Sequence, residues 1–71
     1  MTFVVGDIVD SVGYEPYRGQ ITELHGIFWY RIRVIPPVRG YYMMGAEFYV
    51  PMGDNCLTLV PSLVQLAEAA E

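Results

Sequence analysis

Apolar and polar positions alternate along most of this chain, and turn residues interrupt the alternation every few positions. Residues 27–35 show it best: Phe28, Tyr30, Ile32 and Val34 fall on one face of an extended strand, and Trp29, Arg31, Arg33 and Ile35 on the other. A first strand is expected over 3–12, interrupted at Gly6-Asp7, and a second over 18–24, with His25-Gly26 as a two-residue turn into the third. Pro36-Pro37 must end the third strand, since proline cannot donate to a ladder. Residues 47–50 and 56–60 read as a second hairpin joined by Pro51-Met52-Gly53-Asp54-Asn55. The pattern predicts an all-β domain of five strands whose core holds Val9, Ile21, Phe28, Tyr30, Ile32, Val34, Phe48 and Leu59.

After Pro61 the period changes. Ser62 followed by Gln65 forms a capping box, and Leu63, Leu66, Ala67 and Ala70 can share a helical face. Residues 61–71 are therefore expected to form a short C-terminal helix, with a 3₁₀ turn and a closing strand as the alternative. The 71 residues make one domain, 1–71, because a chain this short buries only ~60% of its unfolded surface.

Composition adds a surplus of apolar surface. Hydrophobic residues make up 54% of the chain and charged residues 17%, against about 25% in an average domain. A core this small has no room for every aromatic and methionine, so a protein partner or a second copy is the expected cover. Lysine is absent, and the four arginines are Arg18, Arg31, Arg33 and Arg39. The net charge of −4 disfavours nucleic acid, which needs a basic stripe to neutralise phosphates. No run approaches the ~20 apolar residues that span a bilayer, so no membrane role is expected. Cys56 is the single cysteine, which rules out an internal disulfide and points to the cytoplasm.

Gly6-Asp7-Ile8-Val9 followed by Tyr17-Arg18-Gly19-Gln20-Ile21 resembles the opening of SH3-like and KOW-type small barrels. It is also similar to the plasmid-encoded type II dihydrofolate reductases, which pair the same two segments at the same spacing. The resemblance covers residues 6–21 and implies an SH3-like five-stranded barrel, an oligomeric habit, and an origin on a phage, plasmid or gene cassette. The reductase activity is not implied. Those enzymes carry Gln-Ile-Tyr before a proline in their pore, where this chain has Thr58-Leu59-Val60 before Pro61, and their pore lysine has no counterpart here.

Candidate chemistry is sparse. His25 is the only imidazole and lies in a turn, and Cys56 lies in an apolar strand with no base nearby in sequence. Neither suggests catalysis or a metal site, and no cofactor motif is present. Tyr14, Tyr17, Trp29, Tyr41 and Tyr42, with Asp10 and Glu15, could form a cage for a methylated lysine or a groove for a proline-rich peptide. The reading that fits best is a non-enzymatic interaction module that binds itself or a larger protein. Trp29, Arg31, Arg33, Tyr41 and Tyr42 are its expected contact residues, since Trp, Tyr and Arg carry most binding energy at interfaces. A small enzyme with its site at a symmetric oligomer pore is the alternative, and a nucleic-acid-binding barrel comes third.

Overall fold

A computed structural model describes residues 3–13, 16–38 and 42–61. They form one antiparallel sheet of five strands: β1 (Ile8–Ser11), β2 (Tyr17–His25), β3 (Trp29–Val34), β4 (Glu47–Pro51) and β5 (Leu57–Leu59), in the order β4-β3-β2-β1-β5. The described residues are all-β, as the alternation predicts. The expected C-terminal helix and its alternative lie outside the described residues.

The second hairpin does not form. β4 pairs with β3 and β5 pairs with β1, so the two occupy opposite edges of the sheet and no ladder joins them. A flat sheet would hold those edges about four strand spacings, or ~19 Å, apart. The connection from Pro51 to Leu57 is folded into turns, with the Asp54 N–H donating to the Pro51 carbonyl at 3.0 Å and the Cys56 N–H to Asp54 Oδ1 at 2.8 Å. So contracted a segment reaches the far edge only because the sheet curls around its core.

That core contains Phe3, Val9, Tyr17, Ile21, Tyr30, Ile32, Val34, Val50 and Leu57, and both edge strands contribute to it. Tyr30 is buried with its polar group satisfied, its hydroxyl accepting the Phe3 N–H at 3.0 Å. Phe48 packs partly buried against the cluster. Two expected core residues do not belong to it. Phe28 is 67% exposed, because the turn out of β2 takes up Gly26, Ile27 and Phe28, with His25 pairing Trp29, and the alternation starts only at Trp29. Leu59 faces the same way as its partner Val9 but is 51% exposed, since the edge strand β5 has a neighbouring strand on one side only.

Gly19 serves the core by being small. It lies between Val9 and Val34 on the inner face, and a methyl group there would collide with Cγ2 of Ile32. Its φ is not in the left-handed region, so space rather than backbone freedom requires glycine. Gly26, with φ of +60°, does need that freedom, in the turn that carries Ile27 and Phe28.

Candidate functional site

The outer face of β2, β3 and β4 is where chemistry-bearing side chains gather. A bulge at Thr22 puts them there. Ile21 pairs with Ile32, but the next paired residue, Glu23, pairs with Arg31, so one residue of β2 is extra. Strict alternation from Ile21 would turn Glu23 and His25 inward and Leu24 outward. The bulge reverses this: Glu23 and His25 join Arg31 and Trp29 on the outer face, while Leu24 pairs with the buried Tyr30.

The registers then order three cross-strand rows. His25, Trp29 and Pro51 form the first, Glu23, Arg31 and Tyr49 the second, and Gln20, Arg33 and Glu47 the third. In each of the last two, an acid and an arginine lie side by side. Glu23 lies 3.8 Å from Arg31 Nη1 through Oε2 and 3.3 Å from His25 Nε2 through Oε1. Glu47 reaches Arg31 Nη2 at 3.7 Å and Arg33 Nη2 at 3.4 Å. Each exposed pair contributes less than ~1 kcal/mol, yet together they hold both guanidinium groups against the sheet. The Arg31 Cζ also lies 5.8 Å from the Tyr49 ring centroid.

Beside these charges is an open depression of about 370 Å³ lined by His25, Trp29 and Tyr49. The His25 and Tyr49 rings meet edge to face at 5.0 Å, and Trp29 is 44% exposed. Ile27 and Phe28 stand at the adjoining turn, 78% and 67% exposed. The turn is anchored, because the Phe28 carbonyl accepts the Met52 N–H at 2.8 Å and Met52 packs against the core.

Of the expected contact residues, Trp29, Arg31 and Arg33 share this face. Tyr42 is on the other side of the sheet. It stacks on Phe48 at 4.9 Å and meets Tyr17 edge to face at 5.3 Å, partly buried against the core. Tyr41 lies outside the described residues, as do Tyr14 and Glu15. The described aromatic residues of the expected cage are thus divided between two faces. Tyr17 is buried, and that burial pushes its phenol well above the ordinary tyrosine range, helped by the nearby Asp54 and Tyr42 and opposed by a hydrogen bond with Ser11. Tyr49, Glu23 and Glu47 are additions that the alternation alone did not single out, and Phe28, which it assigned to the core, is exposed at the adjoining turn.

Asp10 is engaged on another part of the sheet. Its carboxylate receives Arg18 in two bonds, Nε to Oδ1 at 2.8 Å and Nη2 to Oδ2 at 2.9 Å, across a directly paired position of β1 and β2. Arg18 is only 4% exposed and the Asp10 side chain 25%, so this is a partly buried structural pair. Cys56 precedes β5 and is half-buried. Among the described residues no cluster of His, Cys, Asp and Glu could hold a metal ion, and no helix is long and apolar enough to cross a membrane. Comparison with protein-family models, curated proteins and solved structures finds no match to this chain.

Proposed function

We propose that this chain is a protein-interaction module of a reducing compartment, and that its contact surface is the outer face of β2, β3 and β4 together with the Ile27-Phe28 turn. The observation that carries the reading is the placing of exposed Trp29 and Tyr49 around one depression, with exposed Ile27 and Phe28 at the adjoining turn and ion-paired Arg31 in the next row. At about 150–250 Å² per aromatic side chain, Phe28, Trp29 and Tyr49 alone leave ~300 Å² in water. That is the size at which an apolar patch on a monomer marks a contact site.

The same geometry favours protein over nucleic acid. Arg31 and Arg33 are the one tight basic pair in the chain, and both are already held by the carboxylates of Glu23 and Glu47. A phosphate backbone would have to displace those acids and then meet an acidic protein.

The test is position-dependent photo-crosslinking in the intact cell. A photoreactive residue at Gln20 or Pro51, on the rows of the outer face, should give protein adducts. The same group at Val12 or Met43, exposed elsewhere, should not. Adducts that are equal at all four positions, or absent from the outer face, would contradict the reading.

A further inference from the structure

We infer that the occupant of this face is a second copy of the same chain, placed across a two-fold axis so that the Ile27-Phe28 turn of each protomer sits in the His25, Trp29 and Tyr49 depression of the other. The inference rests on the contact face proposed above and names its partner.

Three features lead to it. Charge is the first. Glu23 and Glu47 balance Arg31 and Arg33, so the face is formally neutral and the whole net charge of −4 lies elsewhere on the chain. Two copies that met through other surfaces would bring like charges together, whereas through this face they meet without net repulsion.

Shape is the second. The depression and the exposed turn lie at the same end of the sheet, one walled by rings and the other carrying two exposed apolar side chains. An axis close to the turn brings each turn over the other copy's depression, so one kind of contact is made twice. The turn is held in advance by the Met52–Phe28 hydrogen bond and by Gly26, which lowers the entropy lost on docking. The aromatic ~300 Å², the Ile27 side chain beside it and the charged rows are the surface that such a contact would cover.

The third feature disfavours joining through the edge of β4. Val34 N–H donates to the Ala46 carbonyl and Met52 N–H to the Phe28 carbonyl, each at 2.8 Å, so even-numbered residues from 46 to 52 turn their backbone groups to β3. The outward groups belong to Glu47, Tyr49 and Pro51, and Pro51 has no N–H to offer another strand. The β4 edge, next to the depression, therefore offers no continuous ladder to a second copy.

The experiment is sedimentation of the purified full chain from micromolar to millimolar concentration. The expected mass rises from 8.0 kDa to twice that value and stops there. Phe28→Ser and Tyr49→Ser should each raise the dissociation constant at least tenfold, while Met44→Ser, exposed at the opposite end of the β3–β4 hairpin, should leave it unchanged. Circular dichroism of each variant reports the fold separately. Mixing Phe28→Ser with Tyr49→Ser should restore part of the association, because the mixed pair keeps one intact turn-and-depression contact. A mass of 8.0 kDa throughout, growth beyond two copies, or equal weakening by Met44→Ser would overturn the inference. If the chain is monomeric but outer-face crosslinks to other proteins persist, the contact face stands and only the identity of its occupant falls.

Discussion

The two sides of β3 show what each half of an alternating strand is for. Tyr30, Ile32 and Val34 are at most 1% exposed and belong to a core built by every strand of the sheet. Trp29, Arg31 and Arg33, one residue away in each case, remain reachable by solvent although they include the largest side chain in the chain. The inner residues owe their place to burial from water. The outer ones are held by ion pairs and ring contacts too weak to account for a tryptophan left in water. The inner face therefore specifies the fold, and the outer face is where the proposed contact lies.

The contrast is sharpest in stability. Ile32→Ala should cost ~2–5 kcal/mol and Tyr30→Ala a similar amount, enough to unfold a domain of this size. Trp29→Ala and Phe28→Ala, measured by urea unfolding at concentrations too low for association, should stay within about 1 kcal/mol of the parent chain. A large loss from Phe28→Ala would restore that residue to the core and break the comparison. Arginines divide in the same way. Arg18→Ala leaves the Asp10 carboxylate without its bidentate partner in a largely buried setting and should cost ~3–5 kcal/mol. Arg33→Ala, on the exposed face, should cost less than ~1 kcal/mol.

A smaller loss is expected at Gly19. Gly19→Ala drives a methyl group into Cγ2 of Ile32 and should cost ~1–3 kcal/mol, and the cost should shrink when it is made in an Ile32→Ala background, which removes that carbon. Absence of any coupling between the two changes would show that the inner face is looser there than the packing indicates. The smallest effect is confined to alkaline solution. The Tyr17 phenol holds its proton more tightly in the folded chain than the ordinary value of about 10 in the unfolded one. Its contribution is present below that value and declines as pH rises above it, because the unfolded chain ionises first. Tyr17→Phe should flatten the fall in stability above about pH 10 in urea titrations, and an unchanged slope would remove Tyr17 as its source.

Most of the inner face could be read from the alternation, since Tyr30, Ile32 and Val34 repeat every second residue and burial is what that repeat reports. Phe28 misled because it continues the same parity into a turn, and parity does not say where a strand begins. The pairing of β4 and β5 was hidden for a related reason: Asp54 and Asn55 announce a turn, but a turn does not reveal whether the chain folds back or crosses to another edge. The outer face was legible only in part. Trp29, Arg31 and Arg33 follow from β3 alone, whereas Glu23 and His25 reach them only through the bulge at Thr22. A trace of that bulge was available, since Ile21 and Leu24 are apolar three positions apart and can share an inner face only if a residue is added between them.

Trp29 is the only tryptophan, so its fluorescence reports the outer face and nothing else in the chain. The most direct measurement is its emission maximum and its quenching by acrylamide, followed as the chain is concentrated from micromolar to millimolar. Association through this face should shift the emission to shorter wavelength and reduce quenching along the same curve as the rise in mass, and Phe28→Ser should displace both to higher concentration. Emission and quenching that do not change while the mass doubles would place the interface elsewhere and contradict the account.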